Sequence, residues 1–132
     1  MIQASELRLG NYILQKTGVR ILPVRCAFPH FETLGHSDKD IFPVKLKADI
    51  LEKCGFVENK KYALLPQAHE YILPLPVMGG HQNEIRAYIK TNQECFARAT
   101  MNNIPLSNNI FHLHQLQNLY HALTGQELNV VL

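Results

Sequence analysis

Seven histidines and three cysteines are the residues whose types could do chemistry in this chain. His112, His114 and His121 fall in one C-terminal segment, together with Gln117 and Asn118. On a helix, His114 and His121 would stand about 10.5 Å apart along the axis, at 1.5 Å per residue. Metal–nitrogen bonds of about 2 Å cannot bring both onto one ion. Neither has a histidine, cysteine or carboxylate four residues away, so a metal would have to recruit His69 or His81 from the middle of the chain. No metal site is assigned. The expected role of these histidines is a solvated polar face, or one imidazole fixing the sheet by a hydrogen bond.

Cys26, Cys54 and Cys95 are odd in number, far apart and without a CxxC pair, which argues against a disulfide framework or a cysteine zinc site. They read as small buried hydrophobes in a reducing compartment. A Cys–His nucleophile pair needs a lowered thiol pKa. No cysteine stands at a predicted helix N-terminus, and Cys54 stands near a C-terminus. Asp38, Asp40, His36 and Ser37 share a loop but lack the ligand count of a calcium site. There is no GxSxG, HExxH or P-loop, and Met78-Gly79-Gly80 has too few glycines to cradle phosphate. No catalytic residue and no cofactor is assigned, and the chain reads as non-enzymatic.

Net charge is only +2 over 132 residues, so no strong field draws nucleic acid. The charges are unevenly placed. Residues 1–61 hold ten of the thirteen Lys and Arg against seven acids, and after Arg98 the only formal charge is Glu127. In the basic part, Arg8, Lys16, Arg20 and Arg25, with Tyr12 among them, form a candidate nucleic-acid surface on one side of a hairpin. The uncharged C-terminal third is cheap to desolvate and is a candidate contact with a second copy or another protein.

The elements that position these residues follow from periodicity and turn chemistry. Residues 6–26 read as a β-hairpin with Gly18 in the turn, its second strand an edge because Pro23 lacks a donor. Residues 27–41 read as loop. Residues 47–54 form a short helix with Asp49 in its first turn, Lys53 in its last and Gly55-Phe56 as a Schellman ending. Strands occupy 61–65, 71–75 and 85–89, a Pro-Gln-Ala-His turn separating the first two, and 94–100 reads as a strand or a helical turn, with a flexible break at 78–82 and a loop at 102–108. Residues 109–124 form an amphipathic helix capped by Asn108 or Asn109 and stopped by Gly125, with Leu113, Leu116, Leu119, Tyr120 and Leu123 in one arc. The class is α+β: a bent antiparallel sheet of five to six strands, its N-terminal part curling like an SH3-type barrel, packed against the C-terminal helix, with the short middle helix bridging the strands. The whole chain reads as one domain. No run of about 18 apolar residues and no signal pattern is present, so no membrane contact and a cytoplasmic location are expected.

Three segments, Leu7-Arg-Leu-Gly-Asn-Tyr12, Leu46-Lys-Ala-Asp-Ile-Leu-Glu-Lys-Cys-Gly-Phe56 and His114-Gln-Leu-Gln-Asn-Leu-Tyr-His-Ala-Leu-Thr-Gly-Gln-Glu-Leu128, carry a resemblance. In that order the chain resembles a family of small uncharacterised bacterial proteins, also found in phage and mobile elements. Its members open with an "LRxGNY" strand and close with a "HxLQNLYxALTGxEL" helix. Lys47 stands where that family has a helix-capping threonine, and Leu113 where it has a valine. The resemblance implies a single small α+β unit and carries over no catalytic residue. The function expected first is a non-enzymatic interaction protein accessory to a bacterial genome or mobile element. The second is a nucleic-acid binder using the hairpin, and the third a His/Cys enzyme or metal-binding protein.

Overall fold

Alternation and turn chemistry build the first sheet. In the computed structural model, which describes residues 2–36, 40–59, 69–76, 83–102 and 104–132, β1 (Tyr12–Thr17) and β2 (Arg20–Arg25) form the expected hairpin. Gly18 sits in its turn at φ +65°. β3 (Ile41–Phe42) pairs with the other side of β1, giving the order β2-β1-β3. β2 is thus an edge, as Pro23 requires.

Between β2 and β3 lies a difference from expectation. The stretch read as loop holds a helix, α1 (Phe28–His36). Pro29 stands in its first turn, where a missing N–H costs nothing. His30 Nδ1 accepts the Ala27 N–H at 2.9 Å, and Phe31 and Leu34, three residues apart, pack on the small core of Ile2, Leu7, Ile13, Cys26 and Ile41. Pro29 and Gly35 obscured that spacing.

The second sheet is antiparallel with order β4-β5-β6-β7-β8. Its strands are β4 (Val57–Glu58), β5 (His69–Pro74), β6 (Asn83–Ile89), β7 (Cys95–Met101) and β8 (Ile104–Pro105). The strands divide between two sheets, and β8 adds a short pairing inside the stretch read as loop. The readings of 61–65, the 66–68 part of the turn, the break at 78–82 and the loop residues 37–39 with Asp38 lie outside the described residues. α2 (Ala48–Lys53) starts at Lys47 with no side-chain cap. It ends as its sequence dictates: Gly55 at φ +91° donates to Glu52 O, and the Phe56 N–H donates to Leu51 O.

α3 (Leu113–Thr124) begins four residues later than its pattern suggested. Residues 110–112 are held extended. Ile110 exchanges both backbone hydrogen bonds with Ala97, Leu46 N–H donates to Phe111 O, and Leu113 N–H donates to Val44 O. Gln115 Oε1 then accepts the N–H groups of Phe111 and His112, so the N-cap is His112 with Gln115, not an asparagine. The helix stops at Gly125, φ +72°. Leu113 and Leu116 are fully buried, and Leu119, Tyr120 and Leu123 pack on the same cluster with α2 and the inner face of the large sheet (Ile85, Ala87, Ala97). The fold is therefore mixed α+β, with the C-terminal helix docked by its leucine edge. Among the described residues, no helix is long and apolar enough to cross a membrane.

Leu116→Ala should cost about 2–5 kcal/mol in chemical denaturation, the range for a fully buried leucine. Ala122→Ser, on the exposed side of α3, should stay within about 0.5 kcal/mol.

Candidate functional site

The polar edge of α3 is not solvated. His114 and Gln117 are 1% and 2% exposed, and Asn11 opposite them is 1% exposed. The reason is a clamp between the N-terminal segment and the helix. Asn118 Oδ1 accepts from Arg8 Nε at 2.8 Å and from Asn11 Nδ2 at 3.0 Å, while Asn118 Nδ2 donates to Glu6 O at 2.7 Å. Gln117 Oε1 accepts the Tyr12 N–H at 2.8 Å. That N–H faces away from β2, and β3 reaches only Leu14 and Gln15, so the glutamine supplies the acceptor the sheet lacks there. Arg8 also forks onto Glu127 at 2.7 and 3.2 Å, and the guanidinium holds that carboxyl below the usual range. The polar residues of the two terminal segments are thus spent on one another.

His114 is packed without a hydrogen bond. Its ring lies 5.7 Å from that of His112, nearly parallel, and neither nitrogen has a hydrogen-bond partner among the described residues. Glu6 Oε2 approaches Nε2 only to 3.6 Å, beyond hydrogen-bond reach. Burial, then the neighbouring His112, pushes the His114 pKa down despite Glu6. Two histidines do bond a strand: His30 Nε2 lies 3.2 Å from Gln15 Oε1 on β1, and His69 Nδ1 lies 2.8 Å from Glu58 Oε1 on β4. All three cysteines are buried and unpaired. Burial raises the Cys54 pKa to about 12 and that of Cys95 to about 11, so they are thiols at neutral pH and poor nucleophiles. Among the described residues, no group of three or more His, Cys, Asp or Glu side chains could hold a metal.

The outer face of the large sheet is also charged. The register places Glu70, Glu84, Arg86, Tyr88 and Arg98 there. Arg86 Nη2 meets Glu84 Oε1 at 2.6 Å, Asn59 Nδ2 donates to Glu70 Oε1 at 3.0 Å, and the Arg98 guanidinium lies 5.4 Å from the Tyr88 ring centroid. Two carboxylates face two guanidiniums, so the charges offset one another.

The hairpin residues separate. Tyr12 and Lys16 share one face of the small sheet with Ile21, Pro23 and Arg25, and Arg25 covers the Tyr12 ring at 4.7 Å. Arg20 registers with Thr17 on the opposite face. Arg8 precedes the hairpin and sits in the clamp.

Beside the Tyr12–Lys16 face lies the surface that sequence reasoning missed. A groove of about 510 Å³ runs between the hairpin, the extended linker 43–47, α2 and Leu132. Leu14, Pro23, Pro43, Val44 and Ile50 form its apolar floor, and Lys45, Lys47, Lys53 and Asp49 border it. The signal was present. Val44 and Leu46 are buried while Lys45 and Lys47 are exposed, the period-two alternation of a chain extended along a core. Ile21 and Phe42, 52% and 36% exposed, lie on the same face of the small sheet as Leu14. No family model, curated protein or solved structure matches the chain.

Asn118→Ala strands three partners and should cost about 1–3 kcal/mol. A double-mutant cycle with Asn11→Ala should show strong non-additivity, because both changes remove one shared hydrogen bond. For His114 the folded pKa lies below the unfolded value of 6.5, so the unfolded chain binds the extra proton. Its contribution is complete above pH 6.5 and is lost as the pH falls toward the folded pKa. His112, lowered by burial as well, acts in the same direction. Urea midpoints should therefore fall between about pH 7.5 and pH 5.5, and less in His114→Leu. An equal fall in that variant would reject the assignment.

Proposed function

We propose that the protein is a non-enzymatic interaction module whose contact surface is the groove between the hairpin and α2. Its partner is a protein segment that presents apolar and acidic side chains together. One observation carries this reading: an open apolar floor is bordered by three lysines against one aspartate. The apolar floor favours desolvated side chains, and the lysines select carboxylates around them. Lys16 and Arg25 extend the same charge along the sheet face, and no acid is registered on that face of the hairpin. The polar residues with the most distinctive spacing hold the fold together and, among the described residues, leave no convergent set for catalysis. A role accessory to a bacterial genome or mobile element rests on the resemblance of the terminal segments alone. Nucleic acid is the competing partner. Against it stand the Arg8–Glu127 pair, the covered Tyr12 ring and Arg20 on the far face, which leave few phosphate contacts.

Selection from a random displayed-peptide library should enrich sequences that interleave Asp or Glu with apolar residues. A selected peptide should lose affinity about tenfold or more against Lys45→Glu/Lys53→Glu, two exposed changes that leave the fold intact. Peptides that bind the double variant equally well, or that a single-stranded oligonucleotide displaces at low salt, would refute the reading.

A further inference from the structure

A second cavity lies on the other side of Lys45. It has a volume of about 340 Å³, the lower end of small-ligand sites. Its walls come from the turn between β6 and β7 and from the strand-like stretches 45–46 and 111–112. The turn is a three-residue hairpin loop. Gln93 N–H donates to Lys90 O and Lys90 N–H donates to Glu94 O, both at 2.9 Å. That closure forces residue 93 into the left-handed region, φ +69°. Glycine fills such a position without steric cost, and a glutamine does not. What glutamine adds is a side-chain amide, and Gln93 lines the cavity.

Lys45 and His112 line it as well, with the Phe111 ring, which is 42% exposed. The one acid in the wall, Glu94, is engaged by Lys90 at 3.4 Å. Lys45 is then the wall charge left without a counterion among the described residues. His112 adds a neutral hydrogen-bonding group, because burial holds its pKa below the usual value. One cation, one neutral imidazole, one amide held in a strained backbone and one aromatic face describe a single-charge, single-ring ligand.

We infer that this cavity is a binding site for a small aromatic monocarboxylate, with its ring against Phe111, its carboxylate on Lys45 and its remaining hydrogen bonds from Gln93 and His112. The site stands apart from the groove reading. Lys45 borders both, so the discriminating residue is Gln93, which the groove does not touch.

The probe is benzoate with simple ring-substituted benzoates, against the matching benzamides as neutral controls, followed by NMR on the full chain labelled with nitrogen-15. Benzoates should shift the Gln93 side-chain amide saturably and benzamides should not. Gln93→Gly should raise the melting temperature by relieving the backbone, yet weaken benzoate binding about tenfold, the scale of one lost charge-assisted hydrogen bond. Lys45→Met should abolish the shift with the melting temperature unchanged. No saturable shift with any benzoate, equal binding of benzamides, or full affinity in Gln93→Gly would overturn the proposal.

Discussion

The polar junction between the N-terminal segment and α3 is gathered on one side chain, Asn118. Its oxygen accepts from Arg8 and Asn11, and its nitrogen donates to the Glu6 carbonyl. An asparagine amide is short and carries both an acceptor and two donors, so it can close this junction where aspartate or leucine cannot. α3 lies with its leucine edge in the large core and its amide edge on the segment that leads into β1. The small core of Ile13, Ile41 and Cys26 is a separate cluster. Removing the amide contacts would therefore leave that cluster joined to the rest by fewer fixed points, although no apolar surface had changed.

This double use explains the composition of the C-terminal third. A helix covered on two edges keeps only a narrow solvent face, and a charge in place of His114 or Gln117 would be buried without a partner. Gln117 and Asn118 serve because neutral amides can be buried at modest cost once bonded. Glu127 is charged because it lies at the rim, 60% exposed, against an Arg8 that is 32% exposed. Such a pair adds orientation more than stability. His114 is the exception, since it is buried without a bond and couples the folded state to pH.

Much of this was legible in the sequence, and the failures have physical causes. Gly18, Gly55 and Gly125 announced three left-handed positions, and Leu113 and Leu116 announced the core edge of α3. The alternation of Ile85, Ala87 and Ile89 announced the inner face of a strand. The polar edge of α3 was misread because amphipathic spacing distinguishes apolar from polar, not buried from exposed. Only the partner segment more than 100 residues away decides that. The start of α3 was misplaced for a similar reason. Residues 110–112 carry helical spacing, but pairing with Ala97 and Lys45 overrides it. The groove was missed because its walls come from four separate stretches, and no local pattern reports their convergence.

The same long-range pairing that delays the helix also prepares the exposed chemistry. The Leu46 N–H bonds to Phe111 O and the Leu113 N–H to Val44 O, which fixes residues 44–46 as an extended ribbon. With Val44 and Leu46 drawn into the core, the pleat turns Lys45 and Lys47 outward. The lysine positions are therefore set by the docking of α3, not left to a mobile loop. A ligand that meets them has little backbone to order on binding, which is the main saving a preformed surface offers. The clamp and the exposed lysines are linked through one helix: its buried polar residues bond the N-terminal segment, and its first residues bond the ribbon and so orient the lysines it carries.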